Sequence, residues 1–233
     1  MPPMKRTSPP MPSSTVWMTE SAGRHILLLG ATGLVGSQVL QQLLADDRVG
    51  RITAPTRRAL GMTDARLHNP VVDFDALPAD AAWWAADAVI CCLGTTRKQA
   101  GSLAAFVAID RDLVLATAAM ARAAGTPCLA FNSATGADAG SLFAYNRTKG
   151  QTEDGLRAQG WPSLTFVRPG LIGGERAQRR PAEHAAGVVL GLLHPLLPRR
   201  WRINPAGHIA AALVQAAVTA APGQTVIDSA ALA

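Results

Sequence analysis

In the sequence His25-Ile-Leu-Leu-Leu-Gly-Ala-Thr-Gly-Leu-Val-Gly36, a short apolar run ends at the first of three glycines spaced three residues apart. The apolar run predicts a buried strand, and the amphipathic stretch from Leu34 to Leu44 predicts a helix directly after the turn. The first glycine permits a tight turn, the second lets backbone amides approach a pyrophosphate, and the third lets the helix pack closely on the sheet. The pattern predicts the first half of a nucleotide-binding unit, with phosphate contacts from Gly30, Thr32, Gly33, Leu34 and Val35.

Short apolar runs and helical patterns alternate along the rest of the chain, without an internal repeat. Further strands are predicted at Arg51–Pro55, Val71–Phe74, Ala88–Leu93, Cys128–Asn132, Leu164–Val167 and Thr225–Ile227. Helices are predicted around Ala79–Trp84, Leu103–Ala124, Ala144–Gln159 and Gly207–Thr219. This alternation predicts an α/β fold with a doubly wound, Rossmann-like parallel sheet in a single domain.

Composition excludes several classes of function. The net charge is +6, but six arginines and two glutamates between Glu175 and Arg202 account for +4 of it. Only Trp201 lies near that cluster, so nucleic acid is not expected as the primary partner. The longest apolar stretch, residues 185–197, is too short to span a bilayer, so no transmembrane segment is expected.

The cysteines and histidines indicate neither disulfides nor a metal site. Three cysteines without a Cys-x-x-Cys pair predict free thiols in a reducing compartment, and we expect a cytoplasmic protein. The five histidines are scattered along the chain, so no metal ligand set is expected.

Tyr145 is the single tyrosine of the chain, and Lys149, one of three lysines, follows it by four positions. On a helix this spacing puts both side chains on one face, and an ammonium group there favours the ionised phenol. The pair predicts a general acid or base, the alternative being a half-exposed tyrosine beside a solvated lysine. Ser133, twelve residues before Tyr145, could hold a substrate carbonyl. It could also be a simple turn serine, and Ser141 is a weaker competitor.

The second strand ends in Thr56-Arg57-Arg58, where an NAD-specific site usually carries an acidic residue. Two guanidinium groups there favour a 2′-phosphate, so the expected cofactor is NADP(H). The alternative is a solvated basic loop. Further cofactor contacts are predicted with the adenine and the ribose, from Asp73 and Phe74 and from Leu93, Gly94 and Thr95.

Together these residues resemble the extended and atypical branch of the short-chain dehydrogenase/reductase superfamily, and most of all the Tat-interacting-protein-like oxidoreductases. The resemblance covers most of residues 25–220. It is carried by Leu29–Gly36, Cys91-Cys-Leu-Gly-Thr-Thr-Arg-Lys-Gln-Ala-Gly101, Ile109-Asp-Arg-Asp112, Tyr145-x-x-x-Lys149-Gly and Arg168-Pro-Gly-Leu171.

This resemblance implies a Rossmann-like fold, an NADP(H) site and a catalytic set of Ser133, Tyr145 and Lys149. Tyr145 and Lys149 would also contact the cofactor, and Pro169, Gly170 and Leu171 would border its nicotinamide. Many relatives place an asparagine on the fourth helix to hold a proton-relay water, whereas the matching position here is Asp110.

Two segments depart from the alternating pattern. Residues 1–22, rich in Pro, Ser and Met, are predicted to be a disordered leader, unless Met18 is the true start. Residues 173–203 contain arginines, prolines and a short apolar stretch, and we predict that they cover the substrate site. The NADP-binding, Rossmann-like domain is accordingly placed at residues 23–233.

The predicted function is NADP(H)-dependent reduction of a carbonyl or quinone-type small molecule, with Tyr145 as the proton donor. An alternative with the same fold is an NADP(H)-binding sensor or regulatory interaction protein with little or no turnover. The segment Ala182–Arg202 could instead lie on an anionic membrane surface, although a lid over the substrate is favoured. A homodimer through the helices predicted at Leu103–Ala124 and Ala144–Gln159 is possible.

Overall fold

The computed structural model describes residues 23–173 and 203–233. The predicted leader, nearly all of the predicted substrate-covering insertion and the segment Ala182–Arg202 lie outside the described residues, so the expectations about them stay predictions.

Strands and helices alternate as the sequence predicts. The strands are β1 (Arg24–Leu29), β2 (Val49–Thr53), β3 (Leu67–His68), β4 (Ala88–Cys91), β5 (Cys128–Asn132), β6 (Ser163–Arg168), β7 (Ile172–Gly173), β8 (Asn204–Pro205) and β9 (Gly223–Asp228). The helices are α1 (Leu34–Ala45), α2 (Arg97–Ala100), α3 (Leu103–Val107), α4 (Val114–Ala123), α5 (Ala144–Ala158) and α6 (Ala206–Thr219). A π-helical turn, Ala108–Leu113, joins α3 to α4.

Seven parallel strands form the central sheet in the order β3-β2-β1-β4-β5-β6-β9, while β7 and β8 pair separately. The strand order reverses between β1 and β4, so the crevice where such folds bind ligands lies at the carboxyl ends of these two strands. The predicted doubly wound parallel sheet is confirmed.

Both faces of the sheet are buried, which explains why its strands are continuously apolar. Ile26 and Leu28 of β1 pack in a cluster with residues of α1 and α6. Leu27 and Leu29 point the other way, into a cluster with residues of α4 and α5. All four of these side chains are at most 1% exposed, and burying each contributes about 1.5–3 kcal/mol.

Several predicted elements differ from the structure in their bounds, and two of them differ most. The third strand is the two residues Leu67–His68 instead of Val71–Phe74, and Val71 forms only an isolated bridge with Thr56. Pro70 has no N–H to donate to a ladder, which separates the bridge from β3. The predicted helix Ala79–Trp84 is reduced to a 3₁₀ turn, Ala82–Trp84.

Candidate functional site

The turn between β1 and α1 is shaped by two glycines that admit no side chain. Gly30 has a φ of +86°, and a Cβ there would lie 2.6 Å from the backbone carbonyl of Cys92. A Cβ on Gly36 would lie 2.0 Å from the carbonyl oxygen of Gly30. The first turn of α1 therefore lies directly on the loop, as a phosphate-binding turn requires. We call residues Gly30–Gly36 the glycine cradle.

The N-terminus of α1 faces solvent in the middle of this cradle. Thr32 and Gly33 are exposed, and Leu34 is half-buried. Gly33 is the N-cap and has no side chain with which to bond the first N–H groups of the helix. Because these donors and the helix dipole attract anions, the cradle fits the pyrophosphate of a dinucleotide.

Arg57 and Arg58 lie exposed in the loop after β2. Asn69 holds this loop, since its side-chain amide donates to the carbonyl of Ala54 at 2.6 Å and to the hydroxyl of Thr56 at 2.8 Å. The sequence argument did not identify Asn69, although an asparagine before a proline is a common signal of a turn.

The bridge between Thr56 and Val71 brings the segment with Asp73 and Phe74 next to the loop of Arg57 and Arg58. Asp73 is exposed and accepts a hydrogen bond from the N–H of Asp75, while Phe74 is half-buried. The residues predicted to contact the adenosine end of a cofactor are therefore neighbours.

Tyr145 and Lys149 lie on one face of α5, in very different surroundings. Tyr145 is 46% exposed, with its ring 5.9 Å from that of Phe106, whereas Lys149 is 4% exposed. The Lys149 ammonium nitrogen lies 3.0 Å from Oδ1 of Asp110. Burial alone would lower the pKa of Lys149, but the charges of Asp110 and Tyr145 outweigh it and raise that pKa above its ordinary value.

The loop after β4 lies against this ion pair. The N–H of Thr95 donates to Oδ2 of Asp110 at 2.7 Å. A Cβ on Gly94 would lie 3.1 Å from Oδ1 of Asp110 and 3.6 Å from the Lys149 nitrogen. Gly94 and Thr95, predicted to contact the cofactor, therefore pack on the pair of Asp110 and Lys149. We call Asp110, Tyr145 and Lys149 the proton centre.

Ser133 has a partner other than the one predicted. It is 3% exposed, and its hydroxyl donates to the Glu153 carboxylate at 2.5 Å. Arg168 binds the same carboxylate through two nitrogens, and Arg157 through one. Sequence reasoning missed Glu153, although its position four residues after Lys149 puts it on the same helical stripe.

The loop after β6 is held by a buried asparagine. The N–H of Gly170 donates to Oδ1 of Asn204 at 2.7 Å, and the amide of Asn204 donates to the carbonyl of Ser229 at 2.9 Å. Pro169 is buried, and Leu171 is 61% exposed. Asn204, which the sequence argument also missed, fixes the loop that was predicted to border the nicotinamide.

Within residues 23–173 and 203–233, no cluster of His, Cys, Asp and Glu side chains could hold a metal ion. None of the helices in those ranges is long and apolar enough to cross a membrane.

The sequence is similar to one known family and to several known proteins. Residues 30–188 match the profile of the family described as NAD(P)H-binding. The chain is 37% identical to "Protein fmp52, mitochondrial" of Emericella nidulans, over 76% of this chain and 80% of that protein. It is 36% identical to "Protein HTATIP2" of Rattus norvegicus, over 76% of this chain and 73% of that protein.

Solved structures agree on the fold. Bordetella bronchiseptica WbmG, in complex with NAD, has a TM-score of 0.64 at 15% identity, covering 91% of this chain and 75% of that one. MoeE5, in complex with UDP-glucose and NAD, has a TM-score of 0.65 at 16% identity, covering 87% of this chain and 74% of that one.

The names of the fungal relatives correct one prediction. The proteins from Emericella nidulans and Aspergillus niger are both named mitochondrial, which contradicts the predicted cytoplasmic location. Free cysteines indicate only that a compartment is reducing, so they do not distinguish one reducing compartment from another. The sequence matches show the family: the chain belongs to the NAD(P)H-binding family of Rossmann-type domains and is a homologue of HTATIP2 and of the fmp52 proteins.

Proposed function

We propose that the chain is an NADP(H)-dependent oxidoreductase that reduces a carbonyl or quinone-type small molecule, with Tyr145 as the proton donor. One observation carries the proposal: the half-exposed Tyr145 lies one helical turn from the buried pair of Lys149 and Asp110. The loop after β4 links that pair to the strand ends where the glycine cradle lies.

The residues proposed to hold the cofactor follow the edge of the sheet. The cradle would bind the pyrophosphate, and Arg57 and Arg58 would bind the 2′-phosphate that distinguishes NADP from NAD. The remaining contacts are proposed for Asp73, Phe74, Leu93, Gly94, Thr95, Tyr145, Lys149, Pro169, Gly170 and Leu171. When bound, NADPH supplies the hydride that reduces the carbonyl carbon.

The side chains of the chain supply the proton and the charge. The Tyr145 phenol donates its proton to the carbonyl oxygen, and the Lys149 ammonium group stabilises the phenolate that remains. Ser133 has a smaller part than the family resemblance implies. Its proton is donated to Glu153, so its hydroxyl does not at the same time donate to a developing oxyanion.

Turnover is tested by mixing the purified protein with NADPH and a panel of aldehydes, ketones and quinones, and following NADPH oxidation. We expect Tyr145→Phe to lose about 10²- to 10⁴-fold in kcat, the usual contribution of a positioned acid. NADPH affinity, measured by fluorescence titration, should stay nearly unchanged in that variant. Full turnover in Tyr145→Phe would contradict the mechanism.

A second candidate is a sensor that binds NADP(H) without turnover. The engagement of Ser133 by Glu153 favours it, because a hydroxyl of the expected catalytic set is buried and already bonded. Tight NADPH binding without oxidation by any compound of the panel would support the sensor over the oxidoreductase.

A further inference from the structure

Asp110 is a buried carboxylate, and both of its oxygens have partners. It is 1% exposed, with Oδ1 at 3.0 Å from the Lys149 ammonium nitrogen and Oδ2 bonded to the N–H of Thr95. A buried charge is strongly destabilising unless it is paired and hydrogen-bonded. Asp110 therefore joins the lysine on one side to the loop after β4 on the other.

The backbone of Asp110 is also bonded to α5. Its carbonyl accepts the hydroxyl of Thr152 at 3.0 Å, and that hydroxyl lies 2.8 Å from the carbonyl of Thr148 as well. Asp110 lies inside the π-helical turn Ala108–Leu113, an irregularity that is frequent at functional sites. Helix α5 is thus joined to Asp110 twice, through a side chain and through the backbone.

The titratable groups that face Lys149 come from three elements. Asp110 approaches from the π-helical turn, Tyr145 from α5, and the thiol of Cys91 from β4. Burial raises the pKa of Cys91 to about 11, so this thiol is neutral at pH 7. The ring of Phe131 lies 5.0 Å from the ammonium nitrogen. Within the described parts of the chain, the carboxylate that pairs with Lys149 is that of Asp110.

We propose that Asp110 is a positioning residue, which keeps the Lys149 ammonium group charged and aligned with both Tyr145 and the loop Leu93–Thr95. The inference rests on the proposed function and adds a residue to the proposed Ser, Tyr and Lys set. Asp110 touches neither substrate nor cofactor in this role. It acts through Lys149 and through the backbone of Thr95.

The isosteric change Asp110→Asn tests this role, because it removes the charge and keeps the shape. The chain has three lysines, Lys5, Lys98 and Lys149, so protein labelled with [ε-¹³C]lysine gives three side-chain signals. Each signal is assigned with a Lys→Arg variant. Without the carboxylate, burial dominates, and we expect the Lys149 signal to titrate about one pH unit lower or more.

Two further readouts relate this shift to function. We expect Asp110→Asn to weaken NADPH binding about fivefold and to lower kcat about tenfold, with KM for the carbonyl nearly unchanged. The alkaline limb of the pH profile of kcat should also move to lower pH, together with the titration of Lys149. A purely structural role of Asp110 would lower stability without moving that limb.

Asp154→Asn is the matched control on the same helix. Asp154 is 62% exposed in its side chain and pairs with Arg157 at 2.7 Å, so its loss should leave the Lys149 titration and the NADPH affinity unchanged. If Asp110→Asn does not fold, Thr152→Val provides a second test, since it removes the hydroxyl that holds the Asp110 carbonyl. A smaller shift in the same direction is expected there, because the carboxylate stays in place but is held less firmly against the ammonium group.

The outcomes separate this inference from the proposed function. An unchanged Lys149 titration in the variant overturns the inference, whether or not the wild-type protein turns over. A shifted titration with unchanged NADPH affinity and kcat also overturns it. The third outcome combines two results: Asp110→Asn shifts the titration and weakens NADPH binding, while the wild-type protein oxidises no NADPH. That outcome would contradict the proposed oxidoreductase activity and support the positioning role of Asp110.

Discussion

The glycine cradle and the proton centre lie at the same end of the sheet, but the first is formed by backbone atoms and the second by side chains. The cradle is made of backbone, and Gly30 and Gly36 allow it because a Cβ at either position would strike a backbone carbonyl. The proton centre is made of side chains, with Lys149 and Asp110 paired at 4% and 1% exposure. The glycine cradle therefore requires residues without a Cβ atom, whereas the proton centre requires two opposite charges.

The largest effect is expected in the proton centre, from Lys149→Met. This change leaves the Asp110 carboxylate buried without a counter-ion, which typically costs about 3–5 kcal/mol of unfolding free energy. Urea unfolding measures the loss. The double variant Lys149→Met/Asp110→Asn should recover part of it, and a single-variant loss below about 1 kcal/mol would show that the pair is effectively solvated.

The pH dependence of the same pair has a definite sign. Because the pKa of Lys149 is raised in the folded protein, its stabilising contribution is complete below about pH 10.4, the ordinary lysine value. That contribution is lost as the pH rises through the higher folded-state pKa. The stability difference between the wild type and the double variant should therefore stay constant between pH 7 and 10 and fall above that range.

In the cradle, Gly36→Ala is expected to lower the unfolding free energy by about 1–3 kcal/mol, since the new methyl group meets a backbone atom that cannot rotate away. NADPH binding should weaken as the turn is displaced. Gly33→Ala is the matched change, because its nearest atom would lie at 3.4 Å. Equal losses of stability in the two variants would contradict the close packing described for Gly36.

A smaller effect is expected in the loop after β2, from Arg57→Ala and Arg58→Ala. Both side chains are exposed, so stability should change by less than about 0.5 kcal/mol. If they bind a 2′-phosphate, each change should lower the ratio of NADPH to NADH affinity roughly tenfold. Arg51→Ala, on the exposed side of β2, is the control. An unchanged ratio would favour NAD, or no preference between the two cofactors.

The smallest effect is expected at Cys91, beside the proton centre. Burial raises its pKa to about 11. Only about 0.1% of the thiol is then ionised at pH 8, so iodoacetamide should not label it in the folded protein. Labelling is measured by mass spectrometry before and after unfolding in urea. Rapid labelling of the native protein would show that the site opens far enough for solvent to reach the Cys91 thiol.

The contrast between the two regions also explains what the sequence could predict. Gly30 and Gly36 act within one turn, so their spacing predicted the loop, while the apolar run before it and the amphipathic stretch after it predicted the strand and the helix. Asp110 and Lys149 are 39 positions apart, and only the packing of α5 beside the π-helical turn brings them together. The resemblance to known reductases drew attention to Asp110, but not to its pairing with the lysine.

Ser133 shows a second limit of prediction from the sequence. Its spacing from Tyr145 predicted a role at the substrate, yet spacing carries no information about competing partners. The Glu153 carboxylate, which two arginines also bind, takes the serine hydroxyl. The strand predicted at Val71–Phe74 was misplaced for a local reason, since apolar residues favour a strand even where Pro70 interrupts the ladder.

The π-helical turn between α3 and α4 makes the number of residues in this part of the chain as important as their identity. An α-helix advances about 100° per residue, so deleting one residue from Ala108–Leu113 would rotate α3 by that angle relative to α4. Phe106, whose ring now lies beside that of Tyr145, would swing away from it. Surface loops of proteins commonly tolerate changes in length, whereas a single-residue deletion here would separate the two aromatic rings without altering either one.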